Sequence, residues 1–67
     1  MKKQIINSIK KHHSELQANN GVVPDSWIPY IDFLKIFLHI AKLFTSDEID
    51  LLIDELLAAI EIALLID

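Results

Sequence analysis

The sequence predicts an all-α fold: a three-helix chain with a C-terminal antiparallel helical hairpin, completed as a bundle by homodimerisation. Three observations lead there. Apolar residues recur at helical spacing through most of the 67 residues, while the one Gly and the two Pro are confined to positions 21–29. Just over half of the chain is apolar (52%), which is far from the low-hydrophobicity, high-charge composition of a disordered chain. There are also more Ile and Leu than three packed helices can cover. Residues 1–67 form one helical domain, with helices at about 2–18, 27–44 and 46–66 and a connector at about 19–26.

The first helix places Ile5, Ile9, His12 and Leu16 on one face, with Ile6 and His13 beside them. Lys, Gln, Asn and Ser fill its other side, as on a surface helix. The stretch "ANNG" ends it, with Asn20 or Gly21 suited to a left-handed C-cap. "VVPDS" follows as an extended connector, because Val23 precedes Pro24 and is biased away from helix.

The second helix is expected to begin at Ser26 or Trp27 and to run to Phe44. Ser26 serves as its N-cap, and Pro29 falls in the first turn, where a missing N–H does no harm. Asp32, Lys35, His39 and Lys42 make one narrow polar stripe on an otherwise apolar helix. The aromatic residues Trp27, Tyr30, Phe33, Phe37 and Phe44 recur at helical spacing and read as core, with Trp27 and Tyr30 the best placed for a partly exposed contact.

"TSDE" reads as a capping box, Thr45 as N-cap and Glu48 at N3, and Asp47 and Glu48 suit the positive end of a helix dipole. The short connection makes the second and third helices antiparallel neighbours. In the third helix Ile49, Ile53, Leu56, Ile60 and Ala63 recur at spacings of four and three, a seam that packs one helix into a bundle. A second apolar stripe, Leu51, Ala58, Ile62 and Leu65, lies roughly 150–200° around the helix at 3.6 residues per turn. It borders an acidic ridge of Asp47, Asp50, Asp54 and Glu61. The second helix repeats the arrangement, with Ile36, Ile40 and Leu43 opposite Leu34, Leu38 and Ala41.

A monomer covers one broad stripe per helix, so Ile36, Ile40, Leu43, Leu51, Ile62 and Leu65 are the expected interface. At about 1.5–3 kcal/mol each for full burial they represent about 10–15 kcal/mol gross. Association costs about 4–15 kcal/mol in lost freedom, so burial of this size drives a specific complex. A chain this short, with no cysteine for disulfides or thiolate zinc sites, has oligomerisation and an apolar core as its supports.

Several function classes are disfavoured. Both apolar spans carry charges that cost about 2.5–3.5 kcal/mol each at a bilayer centre, against about 0.3–0.6 returned per apolar residue. Helix-turn-helix DNA binding would use the third helix as reader, but from Thr45 onward every charge is acidic, and the chain has no Arg. His12, His13 and Glu15 do not define a metal site, since adjacent histidines diverge by roughly 100° on a helix. Asp50 and Asp54 could meet His39 and Lys42, and an inter-helix salt-bridge set is the expected role. No phosphate loop, activated nucleophile or cleft-forming loop is present, so neither enzyme activity nor a cofactor is expected.

The expectation is a small, non-enzymatic, cytoplasmic protein–protein interaction module. It would be homo-oligomeric, with a dimer favoured, and would act on another protein as adaptor, inhibitor or regulatory subunit. The competing expectation is a membrane-surface-binding or bacteriocin-like protein, using Lys2, Lys3, Lys10 and Lys11 on the amphipathic first helix.

Overall fold

The computed structural model describes residues 2–66. Among them there are three α-helices, one 3-10 segment and no strand: α1 (Lys2–Ala18), the 3-10 segment (Asp25–Tyr30), α2 (Ile31–Ala41) and α3 (Asp47–Ile66). α1 and α2 both pack on α3, and the 3-10 segment packs on α2. At about 1.5 Å rise per residue, the twenty residues of α3 span about 30 Å. That matches the 32 Å long axis of the molecule, so α3 sets its length.

α1 has the predicted limits, and its end shows why. The Gly21 N–H donates to the Leu16 carbonyl (2.9 Å) and the Asn20 N–H to Gln17 (3.1 Å), the paired bonds of a Schellman motif. That motif needs a left-handed residue after the cap, and Asn20 supplies it at φ 60°, followed by Gly21 at φ 76°. The Asn19 side-chain amide then donates to the Val22 carbonyl (2.8 Å), tying the turn down. Val23 is buried and Pro24 is extended (φ −63°, ψ 146°), as the connector requires.

The second helix differs from expectation in where it starts and stops. Ser26 is not an N-cap: the Trp27 N–H donates to the Pro24 carbonyl (3.0 Å), and no side chain caps the segment. Residues 25–30 instead wind as a 3-10 helix with Pro29 inside it, and Tyr30 leaves the helical region at φ −126°, ψ 19° before α2 begins. The proline is the physical reason. Its ring crowds the N–H and Cβ of Ile28 and disfavours a regular α-helix there, and short 3-10 pieces accommodate such strain. At the other end α2 stops at Ala41, and Leu43 and Phe44 donate to Ile40 and Ala41 in tighter i→i+3 bonds.

The 3-10 winding turns Trp27 inward. Its ring is fully buried, which corrects the expectation of a partly exposed contact. The indole Nε1 donates to the Glu15 carboxylate (2.9 Å), and His12 meets the ring edge-on with centroids 5.1 Å apart. His12 Nδ1 lies 2.8 Å from the Ser8 carbonyl, which holds the imidazole in place. Tyr30 lies farther out at 6.4 Å from His12, and burial followed by the Glu15 charge raises its phenol above the usual pKa.

α3 begins at Asp47 rather than Ser46. The Asp50 N–H donates to the Ser46 carbonyl (2.9 Å), so Ser46 opens the helix, and the expected Thr45 capping box does not form. The Thr45 hydroxyl donates instead to the Asp50 carboxylate (2.7 Å), a charge-assisted bond stronger than a neutral cap. Asp47, Glu48 and Asp50 still occupy the first turn, next to the positive end of the dipole.

One core results. Ile9 and Leu16 of α1, Val23, Trp27, then Ile31, Leu34, Leu38 and Ala41 of α2 close on Ile49, Ile53, Leu56, Leu57 and Ile60 of α3. Among the described residues it holds no buried polar side chain and no buried side-chain atom lacking a hydrogen-bond partner.

Two outcomes follow from this packing. Trp27→Ala empties the centre of the core and should lower the unfolding free energy by about 3–5 kcal/mol. That approaches the whole stability of a chain this size at about 0.05–0.15 kcal/mol per residue, so urea titration followed by circular dichroism should find it largely unfolded. Asn20→Gly should raise the urea midpoint, while Asn20→Val, which forces a β-branched residue to positive φ, should lower stability by about 1–2 kcal/mol.

Candidate interaction surface

Helical phase decides which side chains the fold leaves outside. α3 turns Ile49, Ile53, Leu56 and Ile60 inward, so the residues roughly half a turn away face out. These are Leu51, Ala58, Ile62 and Leu65, all exposed, with Leu65 at 84%. In α2 the inward residues Leu34, Leu38 and Ala41 leave Ile36 and Ile40 exposed, and Leu43 in the turn that follows is 80% exposed. All six predicted interface residues therefore stand at the surface.

They do not form one patch. Between the two stripes runs a charged seam. The Lys42 Nζ donates to the Asp54 carboxylate (2.7 Å), and Lys35 and Glu61 line one shallow depression together with Leu64 and Leu65. The fold thus separates Ile36, Ile40 and Leu43 on α2 from Leu51, Ile62 and Leu65 on α3. Ile62 turns away from α2 and, with Val22, Ala59, Ala63 and Ile66, lines an apolar depression beside the turn after α1.

Two aromatics expected in the core from their helical spacing instead join the outer row of α2 and of the turn after it. Phe33 is 76% exposed and Phe44 58%, so only Trp27 of the five recurring aromatics is fully buried. Phe37 is half-buried against the core edge. The signal was available in phase: at about 100° per residue, Phe33 and Phe44 fall within a quarter-turn or so of Ile40. They fall roughly opposite Leu38 and Ile31, which point inward.

The polar groups resolve into pairs. Asp54 takes Lys42, and Asp50 takes the Thr45 hydroxyl, while His39 is exposed. The hydrogen bond to Asp54 and the attraction of its charge raise the Lys42 ammonium above the ordinary lysine pKa, with Asp50 adding to the effect. His13 reaches across to Glu55 of α3, joining α1 to α3 at the surface. His12, His13 and Glu15 thus have separate partners. Among the described residues no three His, Asp or Glu side chains converge on a point that could hold a metal ion.

The surface of α1 carries Lys2, Lys3, Lys10 and Lys11, all exposed, whereas Asp47, Glu48, Asp54, Glu55 and Glu61 are exposed on α3. No helix among the described residues is long and apolar enough to cross a membrane. The chain matches no family model, no curated protein and no solved structure.

The Lys42–Asp54 pair gives a titration test. A raised folded pKa means the pair's contribution is complete at neutral pH and is lost only as pH rises through the lysine range. In Asp54→Asn the Lys42 ammonium should therefore titrate at lower pH than in the parent, as read by side-chain NMR. An unchanged Lys42 titration would show that the pair does not form in solution.

Proposed function

We propose that this chain is a small, non-enzymatic helical interaction module. It self-associates, a dimer being favoured, and acts on another protein as an adaptor, inhibitor or regulatory subunit. In this reading α2 and α3 form an antiparallel hairpin whose outer faces are covered by association, and the protein works in the cytoplasm.

One observation carries the reading. Among the described residues, twelve large apolar side chains are exposed against thirteen apolar residues in the core. Scattered exposed apolar residues are ordinary, but here they are stacked in rows. Phe33, Ile36 and Ile40 of α2, continued by Leu43 and Phe44 in the turn after it, make one, and Leu51, Ile62, Leu65 and Ile66 of α3 the other. Such stripes mark protein contact surfaces. The charged seam between them supports specificity, because a polar border disfavours misaligned apolar contacts.

Sedimentation equilibrium tests the proposal. The parent should move from the 7.7 kDa monomer mass toward roughly twice that value as concentration rises through the micromolar range. A variant carrying Ile40→Glu and Ile62→Glu, one charge in each stripe, should sediment as a monomer with unchanged helical circular dichroism. A parent that stays monomeric at high micromolar concentration would overturn self-association. Salt-sensitive co-sedimentation of that monomer with anionic vesicles would favour a membrane surface in its place.

A further inference from the structure

We infer that the exposed face of α2 is a self-complementary surface on which a second copy of the chain lays its own α2 antiparallel. Phe33 then meets the partner's Leu43, and Ile36 meets the partner's Ile40. This rests on the reading of the chain as a homo-oligomer and names which of its two apolar stripes is used.

The spacing carries the assignment. Phe33, Ile36, Ile40 and Leu43 are separated by three, four and three residues, so the row is symmetric about position 38. A twofold dimer requires that where residue i touches j, j also touches i. An antiparallel helix pair meets that condition when its contact row reads the same in both directions, as this one does. The α3 stripe does not: Leu51, Ala58, Ile62 and Leu65 are separated by seven, four and three, with a small residue near the middle.

Charge points the same way. Asp32 stands at the N-terminal end of the α2 face and His39 toward its C-terminal end, with Lys35 between them and Lys42 engaged by Asp54 of its own chain. Antiparallel pairing keeps the Asp32 carboxylates of the two copies at opposite ends of the contact and aligns the two dipoles favourably. Pairing through the α3 stripe would bring together two ridges that carry Asp47, Asp54 and Glu61 and no basic residue. Area is sufficient as well. Phe33, Ile36, Ile40, Leu43 and Phe44 are each more than half exposed. With Phe rings of about 150–250 Å² and smaller aliphatics, they present on the order of 500 Å² per copy. Two such faces reach the roughly 1,000 Å² that a specific interface needs.

Cysteine cross-linking tests the register, since the chain has no cysteine of its own. The double variant Phe33→Cys, Leu43→Cys should oxidise to a covalent dimer whose disulfides, mapped by mass spectrometry, join position 33 to position 43 of the other copy. Within one chain these positions lie about 15 Å apart, beyond the reach of a disulfide. Bonds joining 33 to 33 and 43 to 43, or no covalent dimer, would overturn the antiparallel register.

Sedimentation separates this inference from the broader one. Ile36→Glu with Ile40→Glu should abolish dimerisation at unchanged helicity, whereas Leu51→Glu with Ile62→Glu should leave it intact. If the parent dimerises and only the α3 pair disrupts it, the α2 assignment falls while self-association stands. A monomeric parent would overturn both.

Discussion

Everything in this molecule depends on how much of α3 can be covered. The helix is twenty residues long, and its inner seam supplies Ile49, Ile53, Leu56, Leu57 and Ile60 to the core. A helix covered on one side still presents more than half its circumference elsewhere, and only two other helices are available. α1 closes one flank with Ile9 and Leu16, while α2 is eleven residues long and closes the other. Sheets and disulfides play no part among the described residues, so the whole fold is the covering of one helix by two. Among the described residues, the large apolar side chains on its far side and on the outer face of α2 stay exposed.

The 3-10 segment is what makes this covering work with so few residues. Pro29 prevents the helix that follows the connector from starting early, and the tighter winding swings Trp27 into the space between α1 and α2. A single indole then fills the centre that a longer connector or another helix would otherwise have to fill. Its N–H is satisfied by Glu15, so the burial leaves no orphaned polar group. The consequence reaches the surface. α2 then runs only from Ile31 to Ala41, and Phe33 and Phe44, out of phase with its inner face, lie outside the core.

The features legible in the sequence were those set by local chemistry and period. The limits of α1 followed from its amphipathic spacing and from Asn20 and Gly21, and the seam of α3 followed from its four-and-three repeat. The outward placement of Ile36, Ile40, Leu43, Leu51, Ile62 and Leu65 was legible for the same reason, since a helix fixes which residues share a face. What escaped was set by tertiary competition. Ser26 and Thr45 look like caps in isolation, but Trp27 burial and the Asp50 carboxylate drew those segments into other geometry. The five aromatics share helical spacing, but Phe33 and Phe44 are out of phase with the inward Leu34 and Leu38, and that phase shows only once the inner face is known. The division of the surface by Lys42, Asp54, Lys35 and Glu61 required two helices to be placed side by side, and no single-helix pattern contains that information.

Stability and association are linked in such a chain. A domain of this size folds with a small margin, and any partner that binds only the folded form adds to it in proportion to the logarithm of its concentration. Under the proposed pairing, α2 gains most, because it is the shortest helix, eleven residues long, and the one that supplies the contact row. Isolated helices of its length are marginal in water, so its order depends on packing rather than on intrinsic propensity. Covering Phe33, Ile36, Ile40 and Leu43 would secure α2 from both sides, and through it the 3-10 segment that seats Trp27. The α3 stripe would still be open, bordered by Asp47, Asp54 and Glu61, and an acidic rim around an apolar row suits a partner with a basic rim of its own. A dimer built this way carries two such stripes related by a twofold axis, so any protein recognising one is offered two equivalent sites.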